Sequence, residues 1–446
     1  MKKILFFAIY LFMPVFLAWS IYQSNSVKYD SYNVMISMFL GVFSYTWFLW
    51  QFVLSARPKF IDRVFGMDKI YRFHGMMAIV AVAFGLMHQQ IKESYYGETF
   101  MTQLGSIALN LFLASTIIAL LFMGSSFLLK VKAFAWVRKV GDKILKFRYE
   151  HYKLIHNVTF IAMLFMQFHV LQTSSAKNSF IVFNIYMAYG LTAFGFYIYH
   201  KVLKGFLIKD RPYIVKHVIQ EASHTVSIYF APQDGRLPHY KPGQFAFFRF
   251  ENEALPAGEH PFTISSSSSW KQMMGVTIKG LGDFTKEMHK VKVGDRIFVD
   301  MAYGRFSYLF HKNENQIVFI AGGVGITPVL SMLRYMKDME PERPVLLIWG
   351  MRTPEDYIAK EEFDRMLQSM TNLTIVPVYS HAPEHPGEKG YVTHEVIDRL
   401  ITHHGFKQPH TGYYICGPAP LMDGTIKSLK SMGVDKKRIH FEKFTM

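Results

Sequence analysis

The chain is expected to fold as two unlike halves: an all-α bundle of six membrane-spanning helices, then a soluble part in which an antiparallel β-barrel precedes a doubly wound α/β domain. Three observations predict this. Six apolar runs lie before residue 206, each near the ~20 residues that cross a hydrocarbon layer. Beyond Arg211 the pattern changes to short β-branched strands with Gly/Pro turns, then to strands alternating with helices. Four histidines, His74, His88, His156 and His169, interrupt two of the apolar runs at matched depths.

The spans are read at 4–22, 34–54, 73–91, 104–129, 152–171 and 180–199. The first follows Lys2 and Lys3, as a secretory leader would, but its apolar run is too long and no small-residue cleavage site follows, so a retained helix is expected. The net charge of +16 is unevenly placed. Segment 55–72 carries Arg57, Lys59, Arg63, Lys69 and Arg72; segment 130–153 carries Lys130, Lys132, Arg138, Lys139, Lys143, Lys146, Arg148 and Lys153. The other three loops hold one lysine each, Lys28, Lys92 and Lys177. An excess of Lys and Arg marks the cytoplasmic side, which puts both termini in the cytoplasm and the chain in the plasma membrane as a multi-pass protein. Orientation and anionic lipid account for the basic balance, so no nucleic-acid partner is expected.

His74 and His88 are 14 residues apart, and His156 and His169 are 13 apart. At a helical rise of ~1.5 Å per residue each pair spans roughly 20 Å. The two helices run in the same direction, so His74 pairs with His156 at the inner depth and His88 with His169 at the outer. Intramembrane ionisable groups are costly and mark function. Two imidazoles facing each other at each of two depths suit two haems with closed, six-coordinate iron, built for electron transfer. The single cysteine, Cys416, and the lack of a CxxCH string make any such haem the non-covalent b type. Gly75 and Gly85 beside the ligands leave room for a porphyrin. No internal repeat is evident.

The soluble part, about 240 residues, is long enough for two domains of usual size, read as 206–311 and 312–446 after a helical domain at 1–205. In the first, strands at 213–218, 225–230, 245–250, 275–278 and 296–300 alternate as a small barrel does. Within it, His260, Pro261, Phe262 and Thr263 lead into Ser265 and Ser266; an aromatic followed by a hydroxyl residue can cover a flavin edge and hydrogen-bond its redox-active nitrogen. Lys279, Gly280, Gly282, Asp283 and Thr285 follow, with Asp283 to Thr285 opening a helix whose N-terminus can hold a pyrophosphate. Arg305 stands at the end of the barrel.

The last domain opens with a strand at 316–321 and a turn of Gly322, Gly323 and Gly325. Thr327 is expected as the helix N-cap and Pro328 in the first helical position. This is neither the GxGxxG fingerprint nor a P-loop, which disfavours an ATPase. Strands at 344–349 and 373–379 alternate with helices. Arg352, after the first of them, is placed to meet a ribose phosphate. Cys416, Gly417 and Pro418 follow the last strand, at the carboxyl edge where such sheets bind ligands. Phe444 lies three residues from the end of the sequence, where an aromatic is unusual unless docked.

Together these residues resemble the ferric reductase and NADPH oxidase superfamily over nearly the entire chain, through the paired histidines, HPFTISS, LGDFT, GGVGITP, CGP and the terminal aromatic. The resemblance implies a six-helix haem domain fused to a ferredoxin–NADP reductase-like module. It implies that Phe262 and Thr263 contact FAD, that Lys279, Gly282 and Thr285 hold its phosphates, and that Phe444 stacks on the isoalloxazine. Gly323, Thr327, Arg352, Cys416 and Pro418 would bind the nicotinamide nucleotide, with Thr263, Cys416 and Phe444 nearest the hydride. Soluble reductases of the superfamily carry Arg where this chain has His260; the membrane oxidases share the His. The implied cofactors are FAD, two b-type haems and NADPH or NADH. Dioxygen is the implied acceptor, giving superoxide, with a ferric chelate the alternative. A histidine-lined channel or sensor governed by a nucleotide-binding domain is the reading of another class.

Overall fold

The computed structural model describes residues 2–24, 32–96, 99–123, 131–145, 149–222 and 224–442. Phe444 lies outside them, as do Lys28, Lys130, Lys146 and Arg148 and the 124–129 end of the expected fourth span. The chain divides into two compact units, one ending at Gly205 and the other beginning at Phe206.

In the first unit, six helical stretches among the described residues are long and apolar enough to cross a membrane: Lys2–Gln23, Tyr32–Ser55, Met67–Tyr95, Phe100–Phe122, His151–Leu171 and Phe180–Lys209. Their inward faces bury Tyr45, Phe48, Leu49, Ala81, Phe112 and Met163, while Phe180, Ile181 and Leu191 on the outward face remain exposed. Two segments expected as loops contain helices, Lys59–Phe65 and Lys132–Leu145. In the second, Phe134, Val137 and Val140 recur at helical spacing among the basic residues, so charge masked an amphipathic pattern.

The fifth span is not one uniform helix. It is built from Tyr149–His156 and Val158–Leu171, with a turn at Asn157. The Asn157 amide donates to Leu154 O at 3.1 Å and the Phe160 amide to Asn157 O at 3.0 Å. Such i to i+3 bonds wind the chain by ~120° per residue instead of ~100°. His156 and His169, 13 residues apart, lie on either side of this turn, whereas His74 and His88, 14 apart, share the uninterrupted helix Met67–Tyr96.

The second unit holds two sheets. Strands β1 (Tyr213–Ala222), β2 (Thr225–Pro232), β3 (Phe245–Glu251), β4 (His260–Thr263), β5 (Met274–Lys279) and β6 (Arg296–Tyr303) pair antiparallel in the order β4-β3-β6-β1-β2-β5. An antiparallel bridge from Ile264 to Val276 joins the two edges and curls the sheet around Ile228, Phe230, Phe248 and Ile297. Strands β7 (Gln316–Gly322), β8 (Val345–Met351), β9 (Leu373–Tyr379), β10 (Glu388–Lys389), β11 (Thr411–Cys416) and β12 (Ile439–Phe441) form a parallel sheet in the order β10-β9-β8-β7-β11-β12. Helices cover both of its faces, which is why Ile317 to Ala321 are all fully buried. The chain leaves β7 toward β8 and later returns on the other side as β11, so the crevice between the carboxyl ends of β7 and β11 is a topological switch point.

Candidate functional site

In the helical unit, His74 and His156 face each other with ring centroids 6.4 Å apart and planes at 70°. Three of the four histidines are tethered through Nδ1 to a neighbouring helix. His88 Nδ1 bonds Ser37 O at 2.7 Å, His169 Nδ1 bonds Met101 O at 2.8 Å, and His156 Nδ1 bonds the Ser115 hydroxyl at 2.8 Å. With Nδ1 engaged as a donor to a carbonyl, Nε2 is left as the free lone pair, the tautomer a metal requires.

The glycines that matter here are not the expected ones. Gly75 opens onto empty space, but a Cβ on Gly85 would lie 2.6 Å from Leu109, so Gly85 serves helix packing. A Cβ on Gly41 would come within 2.8 Å of the His88 ring, and one on Gly105 within 3.0 Å of the His169 ring. Each outer imidazole therefore lies against a glycine whose helix also supplies the carbonyl acceptor four residues earlier. The sequence holds no local sign of this, because both partners sit on different helices from the ligands.

In the second unit, the two glycine turns touch. A Cβ on Gly325 would fall 2.4 Å from Cys416 O, and one on Gly322 would meet Pro418 at 2.9 Å, so only glycine permits this approach. Gly323 has φ +51°, and its carbonyl accepts from Trp349 Nε1 at 3.1 Å. Gly322, Gly323, Gly325, Cys416, Gly417 and Pro418 are thus gathered at the switch point. Helix Ile326–Met339 has Gly325, not Thr327, at its N-cap. The Gly323–Gly325 segment already forms a 3-10 turn, so Thr327 sits inside the helix and donates to Val324 O at 3.1 Å. Pro328 is likewise past the first helical position. Arg352 is exposed, one residue beyond β8.

The flavin-side strings also meet, with one rearrangement. His260 stacks on Phe284 at 3.7 Å between centroids, and Phe262 lies 6.3 Å from the same ring, so HPF and LGDF share an aromatic stack that Phe284 centres. The expected helix start at Asp283 to Thr285 is instead a 3-10 helix, Thr285–Lys290. Thr285 Oγ1 accepts from the Leu281 and Gly282 amides at 2.9 and 2.8 Å, closing the loop with its own hydroxyl. Gly280 and Gly282 remain on this loop, and Asp283 is exposed. Lys279, expected at a phosphate, pairs with Asp356 Oδ1 at 3.0 Å. Burial works to raise the Asp356 carboxyl, but the Lys279 hydrogen bond and charge outweigh it and hold the group below its usual range. Arg305 lies over Phe310 at 5.2 Å.

Ser265 and Ser266 are fully buried, and their carbonyls serve the join between barrel and nucleotide domain. Arg334 Nη1 donates to Ser265 O at 2.8 Å, and Ser331 Oγ to Ser266 O at 2.8 Å. Arg334 also forks onto Glu362 at 2.8 and 2.6 Å and reaches Tyr229 OH at 3.0 Å. Thr263 is buried opposite Phe245 in the β3–β4 pairing. Phe245 in turn flanks Gly304, where a Cβ would lie 2.9 Å from Glu442 Oε1. Glu442 acts on Cys416: burial pushes the thiol up, and the Glu442 charge adds to it, so the thiol stays protonated and is no nucleophile. Glu442 thus links Cys416 to the Thr263 strand. Its signal in the sequence was an acid between aromatics in HFEKFTM, read only for its Phe.

Residues 215–321 match the family model of an FAD-binding domain, and residues 319–427 that of an oxidoreductase NAD-binding domain. By these matches the C-terminal half is a flavin- and nicotinamide-binding oxidoreductase module. The reductase component of propane 2-monooxygenase from Rhodococcus jostii is 29% identical over 259 residues, covering 55% of this chain and 66% of that protein. Flavohemoprotein A of Dictyostelium discoideum is 26% identical over 249 residues, covering 52% and 60%. The chain spans 66% and 60% of the length of these two relatives. Among solved structures, the flavohem-like FAD/NAD-binding domain of nitric oxide dioxygenase from Vibrio cholerae has TM-score 0.47 and 22% identity, covering 52% of this chain and 98% of that one. The flavohemoglobin of Malassezia yamatoensis has TM-score 0.47 and 16% identity, covering 91% and 95%.

Proposed function

We propose that the chain carries electrons across the plasma membrane, from cytoplasmic NAD(P)H through FAD and two b-type haems to an acceptor outside, and that the acceptor is dioxygen, giving superoxide. The observation that carries this is the facing pair His74 and His156. Two metal–imidazole bonds of about 2 Å, with each ring centre about 1 Å further out, fill a separation of about 6 Å, and the rings stand 6.4 Å apart. The Nδ1 bonds of His88 and His169 to carbonyl oxygens leave Nε2 as the metal-binding lone pair in both, and the Ser115 hydroxyl can accept from His156 Nδ1 in the same way. The apolar outward faces with Phe180, Ile181 and Leu191 fit lipid and would be an aggregation liability in water. With the basic segments inside, both termini are cytoplasmic.

When bound, FAD supplies the conversion of a hydride into single electrons, and haem supplies a one-electron carrier. The chain's own groups do the rest. The Gly322–Gly325 and Cys416–Pro418 turns hold the nucleotide's backbone approach open, and the neutral Cys416 thiol offers a contact that carries no charge to the nicotinamide. Thr263, in register with Phe245 on the neighbouring strand, would offer its hydroxyl to the flavin. Arg352, exposed beside the ribose end of the crevice, favours NADPH over NADH. His88 and His169 would hold the outer haem, which would supply a one-electron carrier to the acceptor.

Purified protein tests this directly. Anaerobic NADPH should reduce FAD and then two low-spin haems per chain. Superoxide dismutase should abolish reduction of added cytochrome c in air. Fewer than two haems per chain at full FAD occupancy would sink the reading; ferric-chelate reduction insensitive to the dismutase would move the acceptor to iron.

A further inference from the structure

We propose that Gln51 is the hydrogen-bond acceptor that orients His74 as an inner haem ligand, completing a set of four tethers built twice from one plan. The inference rests on the reading that the histidines hold haem.

Helices Tyr32–Ser55 and Phe100–Phe122 carry the same spacing of functional positions: Ser37, Gly41 and Gln51 on one, Met101, Gly105 and Ser115 on the other, four and then ten residues apart. The first two of each trio do the same task. Ser37 O and Met101 O accept from His88 and His169, and Gly41 and Gly105 lie under those rings. The third position of the second helix, Ser115, holds His156 Nδ1 at 2.8 Å. The third position of the first helix is Gln51, and the histidine it should serve is His74. Phe48 and Phe112, three residues before Gln51 and Ser115, meet face to face at 3.9 Å and 10°, so the two helices match there also. This repeat is faint in the amino-acid string, since at the same offset only one glycine, one phenylalanine and two leucines (Leu40 and Leu104, Leu49 and Leu113) recur.

Two loose ends meet at that place. His74 Nδ1 is buried and without a hydrogen-bond partner among the described residues, and so is Gln51 Oε1. Gln51 is 8% exposed. Its Nε2 donates to Trp47 O at 3.1 Å, which only an NH2 can do, so the other terminus is the carbonyl oxygen. The two side chains are level. Ser44 Oγ donates to Ala81 O at 2.8 Å across the same antiparallel helix pair; seven residues, two helical turns, lead from Ser44 to Gln51 and back from Ala81 to His74. A buried acceptor and a buried donor left open at one level cost free energy unless they join. A ligand bond through Nε2 fixes the proton on Nδ1 and so makes His74 the donor that Gln51 Oε1 lacks.

An acceptor on Nδ1–H makes an imidazole more basic and favours ferric over ferrous iron. The test is a spectroscopic redox titration of the purified haem-loaded protein. Gln51→Leu should move one of the two haem waves to higher potential, by about a tenfold change in its oxidised-to-reduced ratio, which is about 59 mV for one electron. Gln51→Glu should move the same wave down, and Ser115→Ala should move it up, because His156 faces His74. The second wave should stay in place. Unmoved waves in both Gln51 variants at two haems per chain would overturn the assignment of Gln51 alone, as would Gln51 and Ser115 variants acting on different waves. A wild-type protein without two haems would remove the haem reading and this inference together.

Discussion

The two units hold their reactive side chains by opposite means. In the helical unit His88, His156 and His169 each rely on hydrogen bonding to an adjacent helix and, for His88 and His169, on a glycine beside the ring. In the flavin and nucleotide unit the reactive turns are held by a dense polar join centred on Arg334, which ties Ser265, Tyr229 and Glu362 together while 2% exposed. Apolar surroundings make one hydrogen bond decisive, because no water competes for it. A buried guanidinium carries five donors, so it needs several acceptors at once and thereby ties several segments together. A single substitution should therefore cost function in the first unit and stability in the second.

The largest effect tests the first half of that contrast. His169→Leu should remove half the haem and lower transmembrane electron transfer at least about 100-fold, while reduction of FAD by NADPH persists, as read by haem absorbance and flavin bleaching in one sample. Loss of flavin reduction as well would mean that the units do not fail separately. Arg334→Met tests the second half. Removing one member of a buried ion pair costs about 3–5 kcal/mol; Glu362 keeps 23% exposure, so about 3 kcal/mol is expected, or roughly 10 °C in the melting temperature of a unit this size. Unchanged melting would show that the join is redundant.

Smaller effects sharpen the comparison. Gly105→Ala places a Cβ 3.0 Å from the His169 ring, an overpacking of about 1–3 kcal/mol. Outer haem occupancy should fall while the inner remains, by pyridine haemochrome and low-spin EPR signals. Cys416→Ala should slow flavin reduction about tenfold, the order expected for loss of one positioned contact. Because burial and Glu442 both raise the thiol, wild-type flavin reduction should show no thiol ionisation between pH 6 and 9; a step near pH 8 that vanishes in Cys416→Ala would contradict this. Last, Arg352→Ala should lower the NADPH-to-NADH ratio of kcat/KM about tenfold, about 1.4 kcal/mol for one exposed charge contact. An unchanged ratio would remove Arg352 from nucleotide choice.

The FAD- and NAD-binding strings are contiguous, each turn encoded within a few residues, and both match family models. The helical unit spreads its histidines and their hydrogen-bond partners over separate helices, with only single residues diagnostic in the sequence. Helix starts were read less well. Thr327 had the right chemistry for a cap but lost the position to Gly325, since the 3-10 turn before it consumed the helix entry. The Asp283 to Thr285 segment gave a short 3-10 helix because the Thr285 hydroxyl satisfied the leading amides first.

What the amino-acid order determined by itself was whatever follows from local geometry: span lengths, the depth of each histidine through the helical rise, the alternation of strands, and the glycine turns at strand ends. Partners far apart along the chain were left to the tertiary structure. The His88 cradle on Ser37 and Gly41, the turn at Asn157 between His156 and His169, the Arg334 join and the influence of the Glu442 charge on Cys416 each depend on helix azimuth or on which strands become neighbours. A hydrogen bond is sensitive to tenths of an ångström and tens of degrees, and no periodicity in a linear string carries that information across the distances between these residues.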